Sequence, residues 1–122
     1  MFAAAIVAYV ILGFQPQNAH ALATLRSRVA QGSLSDRITA VGWLWDRTGE
    51  TNDAIPLCIE GLASPESFIG QDAAEMLEKM GQQARPAIPA LKAALWHKDR
   101  FVREDAGKAL RKIAPEEMPP IS

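Results

Sequence analysis

Apolar residues recur at intervals of three and four along two segments of the chain, Phe68–Met80 and Phe101–Ile113. This spacing places the apolar side chains on one face of a helix, so both segments are predicted to be amphipathic helices. A shorter apolar stretch that begins with Ile-Pro precedes each of them, at residues 55–63 and 88–96. Because proline is well tolerated in the first turn of a helix, these stretches are also predicted to be helical. The expected fold class is therefore all-α.

Short polar turns, at residues 64–67 and 97–100, join the two helices of each pair. Turns of this length hold helices side by side and antiparallel, which predicts two helical hairpins. The hairpins align with each other without a gap, at a constant offset of 33 residues that pairs Ile55 with Ile88. Counting back by the same offset brings further apolar residues into the same positions: Leu22, Leu25, Val29, Ala40 and Leu44. That match loosens near Gly49, although Gly49 and Gly81 both follow second helices, where a left-handed cap is favoured.

A repeat of this period predicts a solenoid in which stacked hairpins bury one continuous core. We predict an α-solenoid of about three antiparallel helical hairpins in a right-handed superhelical stack, with units at residues 22–49, 55–81 and 88–114. An apolar segment at residues 1–21 precedes the array, and a Pro-rich tail at residues 115–122 follows it.

The last unit contains three strings that resemble HEAT repeats, in particular the short HEAT-like type of phycobilisome lyases: Ala87–Leu91, Asp99–Arg103 and Ala106–Leu110. The resemblance extends over residues 22–114. The middle unit departs from the family pattern at Gly70, where the family usually has an arginine. The first unit keeps Arg37 but has Asp36 in place of the apolar residue before it.

The resemblance implies a solenoid used mostly as an interaction surface, in a family that includes a few enzymes acting on bound chromophores or bases. It also implies that Asp99 and Arg103 are structural ties between a turn and the neighbouring unit. Arg37, paired with Asp36 or Asp46, is expected to be the same kind of tie in the first unit.

The segment Met1–Phe14 contains no charged side chain. As a helix it would be about 21 Å long, short of the roughly 30 Å of a bilayer core, so the length suits a signal peptide with a cut after Ala21 better than a stable span. No Lys or Arg precedes Arg26, so either the start lies upstream or the segment is not a signal. We expect an exported or membrane-associated protein; the alternatives are a cytoplasmic protein and an apolar helix that caps the first repeat through Phe2, Ile6, Tyr9 and Val10.

The net charge of −1 gives the chain no general attraction to nucleic acid, but the charge is unevenly distributed. Residues 50–78 carry seven acidic residues and no Lys or Arg, whereas residues 85–112 carry eight basic residues. An acidic middle unit beside a basic last unit suggests head-to-tail self-association. A lesser possibility is nucleic-acid binding through the basic side chains of the last unit: Arg100, Arg103, Lys108, Arg111 and Lys112.

The lone cysteine, Cys58, occupies the position of Leu91 in the repeat and is predicted to be a buried core thiol rather than a nucleophile. His20 and His97 are far apart and lack ligand spacing, so we predict no metal site and no cofactor. The chain is predicted not to be an enzyme.

Second helices are expected to line the concave surface of such a solenoid. The positions predicted to contact a partner are Trp45, Glu75, Glu78, Lys108 and Arg111. For the charged residues, exposed salt bridges between stacked units, Glu78 with Arg111 and Glu75 with Lys108, are the alternative. Trp45 is either an exposed interface anchor or buried under the N-terminal segment, because its position is polar in both other units. Trp96 is expected to pack.

These features predict a non-catalytic scaffold that binds a protein or peptide partner on its concave face. Nucleic-acid binding and a role as accessory subunit of a chromophore lyase are the alternatives.

Overall fold

A computed structural model describes the backbone of residues 16–118 and the side chains of residues 22–118. Six α-helices follow one another in this part of the chain: α1 (Pro16–Ala30), α2 (Leu34–Thr48), α3 (Ala54–Leu62), α4 (Ser67–Met80), α5 (Ile88–Ala94) and α6 (Arg100–Ile113). They form three hairpins, α1/α2, α3/α4 and α5/α6, which pack against one another in chain order. The prediction of an all-α solenoid of three hairpins is confirmed, and the described residues contain no strand.

Local sequence signals begin and end the second helices. The Ser33 hydroxyl accepts a hydrogen bond from the Asp36 N–H (3.1 Å) at the start of α2. Gly49 ends α2 in the left-handed region (φ 73°), and its N–H donates to the Trp45 carbonyl at 2.7 Å. Gly81 also has a positive φ (59°), but its ψ of −128° differs from the predicted left-handed helical cap. The reason is that the chain continues from Gly81 directly into a 3-10 helix, Gly81–Ala87.

One continuous core runs through the three hairpins. Its largest fully buried side chains include Ile38, Leu77, Leu91 and Leu110. Neighbouring units approach closely where a small residue faces a large one: a Cβ atom on Gly70 would lie 2.8 Å from Cγ2 of Val102. At this contact a larger residue in place of Gly70, including the arginine of the family pattern, would meet Val102.

The first helix begins earlier than the repeat predicts. The repeat array was predicted to begin at Leu22, yet Pro16 is the first residue of α1. Proline suits that position because its missing N–H would have had no intrahelical partner. The boundary predicted after Ala21 therefore falls inside α1, and a signal-peptidase cut there would divide the helix.

The segment at residues 1–14 lies outside the described residues, so its membrane, signal and capping interpretations remain predictions. Within the described residues no helix is long and apolar enough to span a membrane.

The beginning of the Pro-rich tail is held against the last unit and the 3-10 helix that precedes it. Pro115–Glu117 forms a 3-10 turn, and Met118 packs against the core. Arg85 forms an ion pair with Glu116 and Lys92 forms one with Glu117, both at 3.0 Å.

A candidate protein-interaction groove between second helices

The second helices of the first two units, α2 and α4, enclose an open groove of about 220 Å³, which we call the second-helix groove. Its apolar lining comes from Ile38, Trp43, Trp45 and Met76. The end of the Met76 side chain fills the space beside Gly42, where a Cβ atom would lie 2.5 Å from Cε of Met76. The groove therefore has an apolar floor made where the two units meet.

Two tryptophans border the groove in different ways. Trp45 is half-buried against the core, and its indole Nε1 donates a hydrogen bond to Oε1 of Gln83 at 3.2 Å. The indole of Trp43 has no such partner among the hydrogen bonds of the described residues, and its side chain is 50% exposed. Trp45 is therefore held in place, while Trp43 offers an open aromatic surface.

The rim of the groove is acidic. Asp46, Asp72, Glu75 and Lys79 line it and are all exposed, which gives the rim a formal charge of −2. Within residues 22–118 the ion pairs join other residues, so these three carboxylates and the ammonium group are not neutralised by one another. The groove thus combines apolar and aromatic surface with uncompensated negative charge.

The structure brings together only two of the predicted partner-binding residues, Trp45 and Glu75, which line this groove. Trp45 is half-buried rather than fully exposed, and it packs against the core beside Gln83. The alternative that the N-terminal segment covers it concerns residues outside the described part of the chain and stays a prediction. The partner-binding role of both residues stays a prediction.

The other three predicted residues do not line the groove: Glu78 lies on α4, and Lys108 and Arg111 lie on α6. Lys108 is 4.0 Å from Asp105 in its own helix, and Arg111 is exposed. Burial, partly offset by Lys108, raises the pKa of the Asp105 carboxyl, and the nearby Glu78 raises it further. The ion pairs of the described residues join neither Glu78 to Arg111 nor Glu75 to Lys108, so the alternative of salt bridges between units is wrong.

The sequence-based predictions placed one tryptophan incorrectly and overlooked another. The expectation that Trp96 packs is wrong, because its side chain is 85% exposed in the turn after α5. Trp43 was not among the predicted partner-binding residues, although its position in the repeat indicates that it is exposed. Of its counterparts in the next two units, Met76 packs on the preceding unit and Ala109 is fully buried. Trp43, at the same position in the first unit, is 50% exposed.

The predicted arginine ties bind backbone carbonyls of their own hairpins. Arg37 Nε donates to the Val29 carbonyl at 2.8 Å, and Arg103 Nη1 donates to the His97 carbonyl at 2.7 Å. The expectation that they reach the neighbouring unit, or that Arg37 pairs with Asp36 or Asp46, is corrected accordingly. The physical reason is that each arginine follows a tight turn whose terminal carbonyls lack helical partners.

Asp99 and His97 are the residues that connect adjacent units at the turns. Asp99 caps α6 by accepting from the N–H groups of Phe101 (2.8 Å) and Val102 (3.1 Å). A hydrogen bond from the Ser67 hydroxyl of the preceding unit, followed by these N–H groups, lowers the pKa of its carboxyl. His97 Nδ1 accepts from the Asp99 N–H at 3.0 Å, so Nε2 carries the proton and donates to the Ser64 carbonyl of the preceding unit at 2.8 Å.

Cys58 lies in the core, as the repeat predicts. Its side chain is fully buried, and burial raises the pKa of the thiol to about 12. A thiol in that environment is not a nucleophile at neutral pH. The described residues contain no group of three or more His, Cys, Asp or Glu side chains that could hold a metal ion.

Residues 22–111 match the family model for HEAT repeats, which covers well over half of the chain. Together with the three stacked hairpins, this match shows that the chain belongs to the HEAT-repeat family. HEAT repeats generally mediate protein–protein interaction and are typically non-catalytic. No curated protein and no solved structure matches the chain.

Proposed function

We propose that this protein is a non-catalytic scaffold that binds a segment of a partner protein in the second-helix groove. The observation that supports the proposal most directly is the combination of apolar floor, exposed Trp43 and unneutralised carboxylates at one junction between units. Aromatic anchors surrounded by a polar rim are typical of protein interfaces. The interaction role of HEAT repeats in general points in the same direction.

The dimensions of the groove favour a protein segment over a small molecule. Pockets for small molecules are usually enclosed and measure about 300–1,000 Å³. The second-helix groove is open to solvent and has a volume of about 220 Å³. An open groove of this kind suits the side chains of a helix or an extended segment laid across α2 and α4.

The chemistry of the lining defines the partner segment further. Aliphatic side chains would contact Met76 and the half-buried ring of Trp45, whereas Lys or Arg side chains would face Asp72 and Glu75. A cationic group that lies over the exposed ring of Trp43 gains a cation–π attraction. The preferred ligand is therefore a peptide with both aliphatic and basic residues, and its association rate should fall as salt screens the rim.

A peptide-display selection on the full chain tests this proposal. Peptides rich in basic and aliphatic residues should be enriched, and the affinity of the best peptide is measured by fluorescence anisotropy. The double variant Asp72→Asn/Glu75→Gln should weaken binding about tenfold, the effect of losing roughly 1.4 kcal/mol of interface energy.

The matched control is Glu60→Gln/Glu66→Gln, which removes the same charge from exposed positions outside the groove. This control should leave the affinity unchanged. Equal losses in both double variants would show a non-specific charge effect, and no loss in either would exclude the groove as the binding site. Trp45 is unsuitable for this test because its packing makes stability and binding change together.

A further inference from the structure

A second surface of the first unit is left open at the beginning of the stack. The constant repeat offset identifies the face of each second helix that meets the preceding unit. The residues with a defined contact to the preceding unit are Met76 of α4 and Val102 of α6. Their counterparts on α2 are Trp43 and Asp36.

Contacts further along the stack show what this face does. Met76 of α4 packs on Gly42 of α2, and Val102 of α6 packs on Gly70 of α4. In units two and three the face is thus covered by an earlier helix. In the first unit its central residue, Trp43, is 50% exposed.

Two cavities flank Trp43 on this side of α2. One, of about 540 Å³, extends between Arg28 and Asp36, and another, of about 290 Å³, is lined by Leu25, Arg28 and Arg47. We call this surface the first-unit end face: Leu25, Arg28, Asp36, Ala40, Trp43 and Arg47. Leu25 and Ala40 are buried, so the exposed apolar surface of this face is the ring of Trp43, and Arg28, Asp36 and Arg47 supply its exposed charged part. An aromatic residue with a polar rim is the distribution expected of a surface that receives another element.

The sequence supplies an element of matching length and chemistry. Residues 1–14 carry no charge and end two residues before Pro16, the start of α1. As a helix they would be about 21 Å long, nearly the length of the 15-residue α1. A reversal at residues 13–15 would lay them beside the end face. Because they are tethered to α1, their effective concentration there would reach the millimolar range.

We propose that residues 1–14 dock on the first-unit end face and cover Trp43, so that the chain caps its own repeat array. Trp43 lines both the end face and the second-helix groove, and the docked segment covers only the end-face side. The groove side of the ring stays available to a partner. Two alternatives compete with this proposal. In one, a second copy of the chain covers the end face; in the other, residues 1–14 bind a lipid bilayer and leave the end face uncovered.

Fluorescence of the full chain tests the docking. In a Trp45→Phe/Trp96→Phe background, Trp43 is the only tryptophan and reports its own exposure. Acrylamide should quench it weakly in this background. Adding Ile6→Asp/Val10→Asp should raise the quenching constant severalfold and shift the emission to the red. The matched control, Phe68→Asp/Phe101→Asp, places the same charges on exposed aromatic positions elsewhere and should leave Trp43 unchanged.

Further measurements separate the three occupants. Docking within one chain predicts a monomer in sedimentation and quenching that is independent of protein concentration. Shielding that appears only with dimer formation would assign the end face to a second copy and overturn the proposal. Flotation with phosphatidylcholine vesicles while Trp43 stays exposed would assign the segment to a bilayer and also overturn it.

Unfolding of the aspartate variants would also expose Trp43, so a second variant tests the docking without them. Trp43→Ser lies at an exposed position, so the array should keep its helical circular dichroism. Docking predicts severalfold faster chymotryptic cleavage after Tyr9 in this variant than in the parent chain. An unchanged cleavage rate would contradict the proposal.

Discussion

The close contact between Gly70 and Val102 makes the packing between the last two units unusually testable. In the substitution Gly70→Ala, the new Cβ would lie 2.8 Å from Cγ2 and 3.1 Å from Cγ1 of Val102, closer than the roughly 3.5–4.0 Å of a relaxed carbon contact. Val102 is short, branched and fully buried, so it cannot rotate away. Overpacking of this kind costs about 1–3 kcal/mol, against a gain of up to about 1 kcal/mol in helix propensity. We expect Gly70→Ala to destabilise by up to about 2 kcal/mol.

A second glycine provides the control. A Cβ on Gly107 of α6 would meet only Nη1 of Arg111 at 3.6 Å and Cδ2 of Leu95 at 3.8 Å, which are ordinary contacts. Gly107→Ala should therefore stabilise by about 0.5–1 kcal/mol through helix propensity alone. Urea unfolding followed by circular dichroism measures both changes, provided that the denaturant slope is unchanged.

The explanation depends on one pair of residues, and a double-mutant cycle isolates that pair. In a Val102→Ala background the clash is gone, so Gly70→Ala should become stabilising by about 0.5–1 kcal/mol. If Gly70→Ala changes the free energy of unfolding equally in both backgrounds, Val102 is not the cause and the packing argument fails.

Two other predictions concern the turns. His97→Ala removes both the donor to the Ser64 carbonyl and the Nδ1 acceptor, so it should lower the free energy of unfolding by about 1–3 kcal/mol, the worth of two hydrogen bonds. His97→Gln keeps a donor for the Ser64 carbonyl and should lose less. An equal loss of both variants in urea unfolding would refute the role of the His97–Ser64 hydrogen bond in joining the two units. Because the Ser67 hydroxyl and backbone N–H groups lower the pKa of Asp99, the folded chain binds fewer protons there than the unfolded chain. The stability that Asp99 contributes is present above the ordinary aspartate pKa of about 3.9 and is lost as the pH falls through the lowered value. The difference in the free energy of unfolding between the parent chain and Asp99→Asn should therefore shrink as the pH falls. If the urea midpoints of the two proteins stay equally far apart from neutral to acidic pH, this linkage is contradicted.

The helices and the core could be predicted from the sequence because both depend on local periodicity repeated at a fixed offset. Ile55–Ala63 was predicted and Ala54–Leu62 observed, and Cys58 is buried where its repeat position requires. The helix-starting prolines, the polar turns and the apolar spacing each depend on residues that are close together in the chain. A single sequence is therefore enough to recognise them.

Contacts between units were harder to predict because they depend on which helix face meets which neighbour. Trp43 and Trp45 are two residues apart, and periodicity alone assigns them to different faces without saying which is open. Arg37 and Arg103 were expected to reach neighbouring units, but their acceptors are backbone carbonyls, which every residue carries and no sequence pattern marks. The bond from His97 to the Ser64 carbonyl is similarly invisible, although the two residues are separated by the repeat offset of 33.

The buried Cys58 has a practical consequence for experiments in solution. Its thiol touches Met76 across the helices of the middle hairpin (3.5 Å between sulfurs) and has a pKa of about 12, so a thiol reagent reacts only when that hairpin opens. The rate of labelling therefore measures how often the middle of the array opens, without any engineered probe. For the same reason, a cysteine introduced on the surface can carry a dye selectively while Cys58 stays in place.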